Sequence, residues 1–335
     1  VAVGTVYNVT TPLFEAPDEQ WHFAFVQHLS TGGGLPVYGE DPQAAYRAEG
    51  FQPPLYYLTA APFISRIDTS GWTGFAVLNP QAAIGLPHLD RNKNAVVHTD
   101  GEAFPYAGTA LAVHLLRAVS LLWGLITVLA TFLLASEILP GSPVLAYAAA
   151  ALVAFNPQFL FIKSAVSNDP AVSALCTVAL LLTVRLLVHG SSLARLGALG
   201  VVLGLAAISK LNALPMFGLV ALALLVLGWR ERSWRGLIGK AALVFGLAAL
   251  VGGWWFARNL ALYGDPLAQG VWYSALGRAP TETPLLDLLP EMEGLELSFW
   301  AVFGWMNVLA DQPVYDALRL VTRVAVAGLA VWFAM

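Results

Sequence analysis

From Ala110 onward the chain alternates long apolar runs with short polar breaks, at about 110–137, 143–162, 171–188, 193–209, 211–228, 236–256 and 317–335, with a mixed aromatic stretch at 298–310. These runs carry little polar face, as lipid requires of a helix that must close all its backbone hydrogen bonds internally. Breaks of only a few residues predict neighbouring antiparallel hairpins. Upstream the pattern changes. Residues 7–108 hold no continuous apolar segment of about 18 residues, the length a membrane helix needs, and read as one large external loop. Inside it, residues 18–30 place Trp21, Phe23, Phe25, Val26 and Leu29 in a short amphipathic helix closed by Gly32-Gly33-Gly34. Gln52-Pro53-Pro54 opens a second, aromatic helix expected to reach about Ser65, its tyrosines suited to a bilayer interface.

The expected organisation is an all-α polytopic membrane protein. Residues 1–6 end a spanning helix, 7–108 form the external loop, 109–256 the transmembrane bundle and 257–297 a second external segment. Residues 298–335 combine a re-entrant or interfacial aromatic segment with a final span. Both ends read as cut, with more protein expected on either side.

Composition agrees with this reading. Of 335 residues 58% are hydrophobic and only 11% charged, with a mean hydropathy of +0.67, whereas a soluble domain carries roughly 25% charge. The one cysteine, Cys176, lies in an apolar run and excludes an internal disulfide framework or a cysteine-based metal site. A net charge of −4 without a basic stripe argues against nucleic acid. Arg230, Arg232, Arg235 and Lys240, with Arg185 and Arg195, fall on one side when spans are counted alternately, and that side is expected to be cytoplasmic. The acidic and amide motifs then collect on the opposite, external side.

Four sets of polar residues meet there. Glu15-Ala-Pro-Asp-Glu-Gln-Trp-His22 places Asp18 and His22 four apart on one helical face, with Glu19 beside them. Such a group can take a proton or hold a divalent cation; equally, Asp18 and Glu19 can serve only the helix dipole. Asn168 and Asp169 stand before Pro170, where an N-cap explains one of them, and Lys163 precedes them. Lys210 sits between two apolar runs, either snorkelling or binding a phosphate. Arg258 follows Trp254-Trp255-Phe256, just past the expected helix end, with a guanidinium suited to phosphate. His114 and Arg117 share a face inside the membrane, where Arg117 pairs with Asp169 or another acid and His114 reads equally as a core histidine.

The order of these motifs resembles the polytopic glycosyltransferases of the GT-C fold, particularly bacterial relatives of the protein mannosyltransferase and aminoarabinose transferase group. The resemblance rests on Pro17-Asp18-Glu19 with His22-Phe23, Gln52-Pro53-Pro54-Leu55-Tyr56-Tyr57, Asn156-Pro157 leading to Ser167-Asn168-Asp169, Lys210, Arg258-Asn259 with Tyr263-Gly264-Asp265-Pro266, and Phe303-Gly304-Trp305-Met306-Asn307. It implies a sugar donor on a polyprenyl phosphate, an extracytoplasmic lipid, glycan or protein acceptor, and the bacterial plasma membrane as the location. By carry-over Asp18 or Glu19 becomes the catalytic base, Lys210 or Arg258 the donor-phosphate ligand, and Asp169 the second external acid. His22, Asn168 and Arg117 are supporting residues. A divalent metal at Asp18, Glu19 and His22 is a further expectation. Two other classes stay open: a transporter or lipid flippase, and a non-catalytic subunit retaining the fold.

Overall fold

The computed structural model describes residues 1–41, 43–89, 91–277, 284, 289 and 291–334. Its elements are almost all helical. Five helices are long and apolar enough to cross a membrane: α4 (Gly108–Ile138), α7 (Asp169–His189), α9 (Pro215–Arg230, extended back to Leu211 by a 3-10 turn), α10 (Trp234–Tyr263) and α13 (Gln312–Ala334). The pair α5 (Pro143–Ala154) and α6 (Pro157–Lys163) adds a sixth if taken together, and α8 (Leu193–Ala207) is a shorter apolar helix.

Several boundaries differ from the sequence expectation. The run at 143–162 bends by 60° between α5 and α6. Pro157 cannot donate to a continuing helix, and Asn156 restarts the chain by accepting from the Phe159 N–H at 2.9 Å. α10 does not stop at Phe256 but continues to Tyr263, ending where Gly264 takes a φ of 70° that favours glycine. Arg258 therefore lies on the helix and not beyond it. The aromatic stretch at 298–310 forms the end of α12 (Met292–Trp300) and a two-stranded hairpin, β1 (Val302–Phe303) with β2 (Val308–Leu309).

α7, α8, α9 and α10 share a core of Ala179, Leu199, Leu203, Val220, Leu224 and Val244. α8 and α10 approach closely because neither carries a side chain at the crossing. A Cβ at Gly204 would meet the Ala248 carbonyl at 2.7 Å, and one at Gly252 the Gly204 carbonyl at 2.6 Å. The long loop is a folded cap. It contains α2 (Glu19–Ser30) and α3 (Leu55–Ala60), and follows α1 (Ala2–Thr10). α3 gives way after Ala60 to a 3-10 turn over Ala61–Phe63, short of Ser65. Phe14, Phe23, Phe25, Tyr56, Tyr57 and Trp72 pack with Val113 and Leu116 of α4 in one buried cluster, joining cap to bundle.

The helix ends sort the charges. Arg230 Nη1 reaches the Leu187 carbonyl at 3.2 Å, which brings the α7–α8 and α9–α10 connections to one end of the bundle. The turns that hold Asn168 and Lys210 join the same antiparallel helices at the other end, beneath the cap.

Candidate active site

Asp18 and Glu19 are neighbours with opposite surroundings. Glu19 is fully buried, and each carboxylate oxygen accepts twice. Oε1 takes Arg117 Nε at 2.8 Å and the Val166 N–H at 2.9 Å; Oε2 takes Arg117 Nη2 at 2.7 Å and the Phe14 N–H at 3.0 Å. That fills the acceptor capacity of a carboxylate. Arg117 completes its own set with the carbonyls of Asn8, Thr11 and Pro12, so all five of its N–H donors are engaged. The acid that pairs with Arg117 is thus Glu19 and not Asp169. The pair ties α2, α4 and the α6–α7 turn together, and sets that turn against the start of α2.

Asp18 occupies the N-cap of α2 at φ 60°, in the left-handed region that only Asp, Asn and Gly visit with ease. Its carboxylate caps no N–H of the helix, and the residue is half-buried. Partial burial raises its pKa above the ordinary aspartate value, Lys210 opposes that shift and Asp169 adds to it. A carboxylate left uncapped, with its basicity raised, is suited to accept a proton.

Lys210 and Asp169 form an ion pair at 2.7 Å. Asp169 is the first residue of α7 and not its cap, and Ser167 Oγ also lies at 3.3 Å from its other oxygen. Lys163 does not snorkel to the surface. It is buried, with Nζ donating to the Asp169 carbonyl at 2.8 Å and to Ser173 Oγ at 2.7 Å. Beside the pair lies a cavity of about 230 Å³ whose walls come from three places: Phe51 and Gln52 of the cap, Lys210 and Asn212 of the α8–α9 turn, and Trp272 and Tyr273 of α11 (Gln269–Ala275). Asn168 donates to Gln52 Oε1 and so joins the α7 end to the cap; its own Oδ1 is buried without a partner among the described residues.

Behind Asp18 a buried network extends that the motif reading passed over. His22 Nδ1 lies 2.7 Å from the Tyr57 hydroxyl and 3.4 Å from Glu49 Oε2, while Gln52 Nε2 donates to the same Glu49 oxygen. Burial lowers the His22 pKa to about 3, with Lys210 adding to the shift and Asp169 opposing it. Burial also raises Glu49 to about 8, reinforced by the negative charge of Asp18. At neutral pH both groups are held uncharged. No motif in the sequence singled out Glu49; its burial follows from the packing of the cap.

The structure does not bring all predicted residues together. Arg258 Nη2 donates to the carbonyls of Leu35 (3.1 Å) and Pro36 (2.7 Å), with the guanidinium 5.3 Å from the Trp255 ring centre, and the residue does not line the Lys210 cavity. His114 faces inward against Asn8, at 2.9 Å from its Oδ1, and stacks near Tyr106. Within the trio Asp18, Glu19 and His22, the Glu19 oxygens are occupied by N–H donors and His22 Nδ1 faces the Tyr57 hydroxyl. Among the described residues no group of three His, Cys, Asp or Glu side chains has the placement to hold a metal ion.

The bundle carries its own signature. Residues 111–255 match the family model of dolichyl-phosphate-mannose-protein mannosyltransferase. This mannosyltransferase-like region runs from α4 through most of α10, so it includes Arg117, Asn168, Asp169 and Lys210 and leaves the cap outside. With the apolar helices it supports an integral membrane protein similar to membrane glycosyltransferases of the GT-C type. No curated protein and no solved structure matches the chain.

Proposed function

We propose that the chain moves a sugar from a polyprenyl-phosphate donor to a hydroxyl of a lipid, glycan or protein acceptor outside the cytoplasm. Asp18 is the base. It takes the acceptor proton as the hydroxyl oxygen bonds to the anomeric carbon; the bond from that carbon to the phosphate oxygen breaks, and the phosphate leaves with the electron pair. Lys210 meets the charge that develops on the departing phosphate. Asp169 orients Lys210, and Arg258 holds the cap segment at Leu35–Pro36 against α10.

The observation that carries this reading is the contrast between two adjacent acids. Glu19 is saturated by its partners, whereas the Asp18 carboxylate caps no helix N–H and lies within the field of Lys210, which lines the first cavity. The external orientation is supported by the basic residues at the opposite end, Arg185, Arg195, Arg230, Arg232, Arg235 and Lys240. The mannosyltransferase family match supports the donor class.

Mass spectrometry of lipids that co-purify with the wild-type chain and with Asp18→Asn tests it. The expected result is a polyprenyl phosphate on the wild type and its sugar-loaded form accumulating on the variant. Ordinary phospholipid alone on both would overturn the reading and favour a transporter or a non-catalytic subunit.

A further inference from the structure

A second cavity lies next to the first, on the other side of Phe51. It holds about 330 Å³ and is lined by Tyr38, Asp41, Tyr46, Arg47, Phe51 and Ser274, among others. Phe51 and α11 contribute walls to both cavities. The aromatic lining is held in place by edge-on contacts, with Phe51 5.6 Å from Tyr38 and 6.4 Å from Tyr46 between ring centres. Rings interleaved with hydroxyls and charges present what a sugar offers in reverse: apolar faces for its C–H surfaces and hydrogen-bonding groups for its rim.

Arg47 stands out on this wall. Its backbone φ is 47°, a left-handed conformation that is strained for a residue with a long side chain. Its guanidinium carbon lies 5.0 Å from the ring centre of Trp21. The side chain is exposed and forms no ion pair among the described residues, although Asp41 lines the same cavity. Elsewhere in the cap Lys93 donates to two carbonyls, and at the bundle end Lys210 pairs with Asp169. Trp21 is itself fixed, edge-on to Trp305 at 5.3 Å, and Trp305 donates to the Phe14 carbonyl at 3.0 Å. Trp21 also follows Asp18 by one turn of α2, its N–H bonded to the Asp18 carbonyl at 2.9 Å. The cation therefore lies over a ring that is one helical turn from Asp18, and among the described residues it has no counter-ion.

We propose that this second cavity is the acceptor subsite, and that Arg47, held over Trp21, binds an anionic group, phosphate or carboxylate, on an acceptor saccharide. A guanidinium offers such a group two parallel N–H donors, and stacking on Trp21 keeps its plane oriented while leaving its edge free. Asp41 and Ser274 then face the neutral hydroxyls. The inference rests on the transferase reading, with Phe51, which lines both cavities, as the partition between donor and acceptor.

Phenylglyoxal labelling of the detergent-purified wild-type chain, read by peptide mass spectrometry at Arg47 and at exposed Arg66, tests the proposal without a variant that could misfold. The probes are glucose 6-phosphate, glucuronate, glucose, inorganic phosphate and decaprenyl phosphate. Glucose 6-phosphate and glucuronate are expected to remove about four-fifths of Arg47 labelling at about four times their Kd, with Arg66 unchanged and glucose without effect. Three results would overturn the proposal: no protection of Arg47 below the concentration that also protects Arg66, equal protection by inorganic phosphate, or stronger protection by decaprenyl phosphate, which would assign the guanidinium to the donor. Lipid mass spectrometry on the same preparation separates the two readings. Retained polyprenyl phosphate with an unprotected Arg47 overturns this proposal alone; a protected Arg47 without any polyprenyl lipid overturns its acceptor role together with the transferase reading.

Discussion

Adjacent side chains at the start of α2 separate structure from chemistry, and substitution should show the difference. Glu19→Gln leaves the Arg117 guanidinium buried without a counter-charge, an imbalance of about 3–5 kcal/mol, and should lower Tm sharply or abolish folding. Asp18→Asn removes a carboxylate that caps nothing, and should leave Tm near the wild-type value while glycosyl transfer falls by about 10²-fold or more. Thermal unfolding in detergent beside a transfer assay distinguishes them. The reverse pattern would make Asp18 structural. Glu49 gives a pH signature of its own. Its folded pKa near 8 lies above its ordinary value of 4.5, so the folded state holds a proton that the unfolded chain releases. Stability therefore falls as pH rises from about 4.5 to about 8, and the full cost is present above that. Glu49→Gln mimics the neutral acid, and its Tm should match the wild type at low pH and exceed it increasingly up to pH 8. Parallel Tm curves for the two proteins across that range would show that Glu49 is already ionised in the fold.

Elements are joined in this molecule by two different devices. Inside the bundle, α8 and α10 meet backbone to backbone at Gly204 and Gly252. Gly204→Leu should separate them and cost roughly 1–3 kcal/mol by overpacking, whereas Gly253→Ala, whose Cβ would meet only the Ala249 methyl at 3.8 Å, should be neutral or slightly stabilising. Unfolding midpoints of the two variants check this. In the cap the device is charge. His98 lies 2.8 Å from both Glu15 Oε1 and Glu102 Oε1; Glu15 also accepts the N–H groups of Ala95 and Val96, and Glu102 that of Leu13. Hydrogen bonds to Glu102 and Glu15 raise His98 to about 9 from 6.5. This stabilisation is present in full below about pH 6.5 and is lost as pH rises through 9. Amide exchange in segment 95–102 should accelerate above that pH, and His98→Gln should make exchange fast and pH-independent apart from the intrinsic rate. Exchange that stays slow in His98→Gln would mean that the clamp contributes nothing. The segment it fixes leads through Phe14 and Glu15 directly to Asp18.

At the scale of the whole molecule, the basic end and the site end lie at opposite ends of the same helices. Cysteine placed at Ser192 should therefore label only from the cytoplasmic side, and cysteine at Thr99 only from outside, when membrane-impermeant maleimide is added to intact cells and to inverted vesicles. Labelling of both from one side would sink the proposed orientation. Much of this architecture was legible in the chain. Apolar runs too long for a soluble fold define the spans, and the cap is visible as the stretch that lacks one, because lipid admits only helices that satisfy their own backbones. Pro17-Asp18-Glu19 was visible as a candidate site because carboxylates are rare in such a composition. What residue spacing could not resolve was which acid is free. That depends on Arg117, about a hundred positions away, and on the Val166 N–H, and these meet Glu19 only once α2, α4 and the α6–α7 turn have packed. The continuation of α10 through Arg258, the burial of Glu49 and the stacking of Arg47 on Trp21 have the same origin. The amino-acid sequence by itself determined the membrane helices and the residue types available at their ends, since hydropathy and composition are local properties. Only the tertiary structure decided which of those polar groups are consumed by one another and which keep hydrogen-bonding capacity, since desolvation and hydrogen-bond saturation are set by neighbours remote in the chain.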